Sequence, residues 1–183
     1  RTVIRGGIGL FYDQINLNVA TATQLQDRVV TRFGLDGLQV VGLPERQQFA
    51  LTESRLQTPR SLNWNIELDR EWIKNFFVRV GYQQRQATRE FILNPTQSTS
   101  GETILGLDNS GRSRYRELEV TTRYRLREHD EFVASYVRSS SLGDLNDFNS
   151  YYSNFENPII KGNERSRLPW DAPNRFIFWG TFH

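Results

Sequence analysis

The sequence predicts an all-β chain, an antiparallel up-and-down transmembrane β-barrel wall of about six strands with long outer loops and short periplasmic turns. Three observations carry this. Apolar and polar residues alternate with period two in segment after segment, while helical periodicity is hard to find. The connections between those segments run long, short, long, short, long, the rhythm of an up-and-down barrel. Aromatic residues gather at both ends of the strands with aliphatic residues between them, as at two membrane interfaces.

The first strand is RTVIRGGIGLFYD, residues 1 to 13. Ile4, Gly6, Ile8, Leu10 and Tyr12 fall on one face, and Arg5, Gly7, Gly9 and Phe11 on the other. An arginine in mid-strand needs a wet side, and glycines weaken an ordinary strand. A barrel stave satisfies both: the charge faces a lumen, and small residues leave room there. Gly6-Gly7-Ile8-Gly9 could suggest a phosphate-cradling loop, but no amphipathic helix follows it.

SLNWNIELDREW, residues 61 to 72, is the clearest alternation. Leu62, Trp64, Ile66, Leu68 and Trp72 oppose Ser61, Asn63, Asn65, Glu67, Asp69 and Glu71. Arg70 breaks the apolar face close to a turn, where a long side chain can snorkel to headgroups. Residues 73 to 75 turn the chain into FFVRVGYQQRQ, 76 to 86, with Phe76, Val78, Val80 and Tyr82 on the apolar side. A second hairpin pairs SRYRELEVTTRYRL, 113 to 126, with EFVASYVRS, 131 to 139, through a turn at 127 to 130. In the returning strand Phe132, Ala134 and Tyr136 are expected outward. RFIFWGTF, 175 to 182, is the last strand. The polar segments 14 to 60, 90 to 112 and 140 to 173 read as the long loops, of a length that is usually functional or disordered.

Composition narrows the function. No run approaches the roughly 20 apolar residues of a membrane helix, whereas alternating barrel strands average out as polar, in line with an apolar share of 37%. Cysteine is absent, which removes disulfides, thiolate metal sites and cysteine nucleophiles. The net charge is only +2, and all but two of the basic residues are arginine. Glutamates interleaved with those arginines would repel phosphate, so no nucleic acid is expected. The two histidines, His129 and His183, lie in a turn and at the chain end, and Ser139-Ser140-Ser141 has no base nearby. The chain therefore reads as no enzyme and as holding no cofactor.

Two loop clusters remain. GDLNDFN, 143 to 149, places Asp144, Asn146 and Asp147 together, an oxygen-rich set that could hold calcium. Phe148 spoils the spacing of a calcium loop, and side-chain capping of a turn is the plainer reading. Tyr151, Tyr152, Arg165, Arg167 and Trp170 share the last long loop, a combination suited to a ring-bearing or glycan ligand. The alternative is that they pack the loop on itself. Arg5, Arg79, Glu117, Glu119 and Arg123 are expected to face the lumen, pairing across strands. The competing fold is a soluble β-sandwich binding or adhesion module, with the charged face in solvent and the aromatics as core.

Five stretches in order resemble the β-barrel of TonB-dependent outer-membrane receptors, in the Oar-like branch whose plug follows a carboxypeptidase-regulatory-like domain. They are TVIRGGIGLFYD (2 to 13), SLNWNIELDREW (61 to 72), SRYRELEVTTRYRL (113 to 126), ASYVRSSSLGDLND (134 to 147) and DAPNRFIFWGTF (171 to 182). The resemblance implies a bacterial outer-membrane location and lipid around the wall. It also implies ligand capture with energy-coupled uptake of a nutrient such as a siderophore or oligosaccharide. The implied partners are the remaining strands, a plug domain and, through the plug, the TonB complex. Six strands are too few for a 22-stranded transporter, so residues 1–183 are expected to be part of such a barrel, with plug and remaining strands outside them.

Overall fold

The computed structural model describes residues 2–14, 28–51, 56–99, 102–127, 130–144, 166–168 and 170–182. The described residues contain no helix. Their strands are β1 (Thr2–Tyr12), β2 (Arg28–Val30), β3 (Glu45–Leu51), β4 (Arg60–Ile73), β5 (Phe76–Gln97), β6 (Thr103–Arg125), β7 (Glu131–Gly143), β8 (Ser166–Arg167) and β9 (Asn174–Thr181). Six of them form one antiparallel wall in the order β1-β4-β5-β6-β7-β9. Among the described residues β1 and β9 do not pair with each other, so the wall is open at both edges.

The register sorts the wall into two faces. Ile4, Ile8, Leu10 and Tyr12 align with Leu68, Trp64, Leu62 and Arg60. Leu68 and Ile66 then meet Val80 and Tyr82, which meet Val120 and Leu118. Val120 and Thr122 meet Tyr136 and Ala134, and these meet Phe176 and Phe178. Cross-strand aromatic contacts tie the face: Trp64 to Tyr82 at 5.2 Å and Phe132 to Phe178 at 6.3 Å between ring centroids. The expected outward set of Phe132, Ala134 and Tyr136 lies on this apolar side. Arg70 is there too, its guanidinium 5.6 Å from the ring centre of Trp72.

This apolar face is not a core. Ile8 is 78% exposed and Phe176 68%. A β-sandwich would bury such a face against a second sheet, but all nine strands belong to one sheet.

The upper edge of the apolar belt is Tyr12 on β1, Leu62 on β4, Tyr82 on β5, Leu118 on β6, Tyr136 on β7 and Phe176 on β9. Followed through the pairing, Tyr136 and Phe176 stand level with Ile4 of β1. The edge thus drops eight residues, about 26 Å, across five strand spacings, about 24 Å. A belt level with a membrane requires strands tilted by about 45°, the inclination typical of membrane barrels.

Segment 90–112 departs from the loop expected there. β5 and β6 continue through it as one hairpin of 22 and 23 residues. At ~3.3 Å per residue each strand is over 70 Å long, well beyond the ~42 Å needed to cross a ~30 Å layer at that tilt. Two irregularities, between Thr88 and Glu90 and between Glu90 and Ile92, mark where the extension begins, and Arg89 takes a φ of 62° there. Within segment 14–60, likewise expected as loop, β3 runs parallel to β6 from Gln47↔Thr103 to Leu51↔Leu107, with β2 on its far side. A side-chain clasp fastens the same segment: Asn109 Nδ2 donates to the carbonyls of Gln57 (3.0 Å) and Arg89 (2.8 Å). The fully buried Ile92, Leu105 and Leu107 sit in this outer extension, where the described residues come nearest to a conventional apolar core.

Gly111 is what lets β5 and β6 close over the irregularity. A Cβ there would lie 2.6 Å from the Glu90 carbonyl oxygen and 2.7 Å from Ile92 Cγ2. Gly111→Ala should therefore destabilise the extension by about 1–3 kcal/mol, the usual cost of overpacking. Limited proteolysis checks it: cleavage near residues 98–102 should quicken while the hairpin turn at 74–75 stays protected.

Candidate functional site on the polar face

The opposite face gathers the charged and amide residues of the same strands, because every second residue points that way, with Phe11, Phe77, Val133 and Trp179 interspersed. Arg5, Glu67, Asp69 and Arg79 form one network across β1, β4 and β5. Arg5 Nη1 lies 2.5 Å from Glu67 Oε1, and Arg79 lies 3.7 Å from Glu67 and 3.5 Å from Asp69. Glu117 is a second hub. It accepts hydrogen bonds from Gln83 Nε2 (2.9 Å), the Tyr115 hydroxyl and Arg175 Nη2 (2.7 Å). Glu119 accepts from the hydroxyls of Thr121 (2.8 Å) and Ser135 (3.3 Å). Arg123 lies 4.8 Å above the Phe77 ring, a cation–π contact, while its Nε has no hydrogen-bond partner. The five residues expected to face the lumen are thus all on this one face, and each pairs across a strand or stacks on an aromatic ring.

Among the described residues, recesses open on it. A cavity of about 520 Å³ lies where Gly7 and Gly9 leave the surface low, beside Phe11, Asn63, Asn65 and Arg85. A second, about 400 Å³, adjoins it and shares Arg85 and Tyr115. A third, about 330 Å³, lies toward the short turns, between Asp69, Arg79, Arg123 and Trp179.

The second recess is closed on one side by residues 166–168 and 170–173. Leu168 N donates to the Ser141 carbonyl (3.0 Å), Ser141 N to Asp171 Oδ1 (2.9 Å), and Ser139 Oγ to the Ala172 carbonyl (2.9 Å). This strap carries two of the predicted ligand-loop residues. Trp170 stands exposed on the recess wall, while Arg167 does not line the recess and pairs with Asp171 at 3.7 Å. Tyr151, Tyr152 and Arg165 lie outside the described residues, as do Asn146 and Asp147 of the calcium candidate. Asp144 donates its backbone N–H to the Arg112 carbonyl at 3.0 Å, and no cluster able to hold a metal occurs among the described residues.

Sequence reading did not single out Glu90, Asp171 or Arg85. Glu90 and Asp171 fell within segments read as loop, and Arg85 showed only as one more polar-face residue. Burial pushes the Glu90 carboxyl above its ordinary value, partly offset by the hydrogen bond from Ser113 Oγ (3.0 Å) and by Arg85. The folded protein therefore holds this proton more tightly than the unfolded chain does. Stability from this group is full below the ordinary carboxylate value of 4.5 and is lost as pH rises through the raised one. Glu90→Gln, which keeps the acceptor for Ser113, should be more stable than the parent at neutral pH, with the difference vanishing near pH 4. Urea titration at the two pH values measures it.

The fold, the belt and the polar face agree with what comparison with known families finds. No curated protein and no solved structure matches the chain. The family described as outer membrane beta barrel domain matches residues 1–183, its whole length. The antiparallel wall with one apolar and one charged face fits that family, the protein is located in the bacterial outer membrane, and the chain belongs to the outer membrane beta barrel domain family.

Proposed function

We propose that this wall is part of a TonB-dependent receptor that captures a nutrient from outside and passes it inward by energy-coupled uptake. The observation that supports this reading most is the pair of adjoining polar recesses, about 520 and 400 Å³, joined at Arg85 and Tyr115. They lie on the face turned from the apolar belt and reach the long-loop end at Trp170. An aromatic ring at the mouth with charged and hydroxyl groups behind it suits an oligosaccharide or an iron chelate. The paired charges further down the face would meet the rest of the barrel wall and a plug, through which the TonB complex would act.

Uptake of a labelled ferric hydroxamate chelate and of a labelled maltodextrin by cells producing the whole protein tests it. The reading expects uptake of one probe that an uncoupler abolishes and that Arg85→Ala with Trp170→Ala lowers at least about tenfold. Uptake indifferent to the uncoupler would mark a passive pore instead.

A further inference from the structure

The arginines of the wall are divided unequally in their partners. On the polar face Arg5, Arg79, Arg85, Arg125 and Arg175 each pair with a carboxylate. On the apolar side the register places Arg60, Arg116 and Arg138 just above the belt, with Arg114 and Arg112 further up β6, and between the short turns and the irregularity at Thr88–Ile92 that side of the six strands carries no aspartate or glutamate. Arg60, Arg112, Arg116 and Arg138 make no ion pair among the described residues; Arg60 Nε donates only to Thr88 Oγ1, at 3.5 Å.

Their position is tied to the belt. Arg60 is the next outward residue above Leu62, Arg116 above Leu118 and Arg138 above Tyr136. Arg138 opposes Leu118 while Ser140 opposes Arg116, so Arg116 and Arg138 are diagonal neighbours, about 7–8 Å apart at Cα. Arg112, Arg114 and Arg116 continue up β6 at steps of about 6.6 Å. All of them stand on the side of the long connections, away from the short turns, which in outer-membrane barrels is the outer leaflet.

We infer that this arginine rim is a docking surface for phosphate-bearing lipid headgroups of the outer leaflet. If the belt meets acyl chains, the residues one step above it meet the headgroup layer. Guanidinium groups bind phosphate through paired N–H donors, and for Arg60, Arg112, Arg116 and Arg138, which pair with no carboxylate among the described residues, lipid phosphate would supply the countercharge. The phosphates of neighbouring lipids would bridge β4, β6 and β7, binding adjacent staves from outside as the Arg5–Glu67–Arg79 network binds them from inside. This inference uses the belt and the family membership, and it stands whether or not the barrel transports anything.

The test is native mass spectrometry of the whole protein in nanodiscs containing equal parts of phosphatidylcholine and phosphatidic acid. The parent should retain phosphatidic acid at least about fivefold over phosphatidylcholine, and Arg112→Gln/Arg116→Gln/Arg138→Gln should bring that ratio near one. Arg5→Gln, on the other face, should leave it unchanged. A parent that retains both lipids equally overturns the proposal without any variant. A triple variant with undiminished preference overturns it as well. If the triple variant fails to insert, Arg138→Gln alone decides, with an intermediate ratio expected and an unchanged one contradicting the proposal. Added inorganic phosphate should not strip the retained lipid; full competition would reduce the rim to an unspecific anion site.

Discussion

Replacing Ile66 by arginine should destabilise the inserted wall by about 2–4 kcal/mol, the cost of a charge on the lipid face near the bilayer midplane. The same substitution at Asn65, one residue away, should cost within about 0.5 kcal/mol. Ile66 stands opposite Gly6 and Tyr82 in the middle of the belt, with no acid on its face. Asn65 stands opposite Gly7 and Gln83 and borders the larger polar recess. A new guanidinium there meets water and amides. Urea unfolding of the two variants in bilayers of the same lipid gives the comparison, and the contrast between neighbours matters more than either value.

The second large effect is expected at Glu117. Its carboxylate is 12% exposed and gathers donors from β5, β6 and β9, so Arg175 ties β9 to a strand that β9 does not itself pair with. Glu117→Ala removes all three acceptor contacts at once. Hydrogen bonds to a charged group contribute about 1.5–3 kcal/mol each when buried, but Arg175 is half exposed and regains water. A net loss of about 2 kcal/mol is expected, concentrated at β9. Hydrogen exchange should show the amides of Arg175 to Trp179 opening first, while those of β4 stay protected. Glu117→Gln, which keeps acceptor and shape, should recover about half of the loss.

The membrane-crossing half of the wall was legible because its physics is local. Period-two alternation in 61–72 and 76–86 fixes both faces, and Asn75, one of the few residue types that tolerate a left-handed backbone, takes a φ of 66° in the turn between them. The outer half was not legible. Segment 90–112 contains Pro95, Gly101, Gly106 and Gly111 with many hydroxyl and amide residues, a composition that argues against strand. Its pairing is settled by partners remote in sequence. β4 ends opposite Thr88, so β5 beyond that point is an edge, where a proline without an N–H is tolerated. The parallel partner β3 comes from more than fifty residues away, and nothing in ERQQFAL announces that it will lie beside Thr103–Leu107.

The candidate site divides in the same way. Arg5, Arg79, Glu117, Glu119 and Arg123 could be assigned to one face from alternation alone. The second recess could not, because it depends on Leu168, Asp171 and Ala172 folding back onto Ser139 and Ser141. Of the loop residues proposed for ligand capture, Trp170 reaches that recess and Arg167 does not.

The absence of cysteine makes the two-faced wall directly measurable, since any cysteine introduced into the chain is unique. Spin labels placed singly from residue 62 to residue 69 report collision with oxygen, which concentrates in lipid, and with a water-soluble nickel complex. The account predicts high oxygen and low nickel accessibility at 62, 64, 66 and 68, and the reverse at 63, 65, 67 and 69, once the protein is in bilayers. Nickel accessibility that does not alternate, with labels at 62, 64, 66 and 68 as open to water as their neighbours, would contradict it.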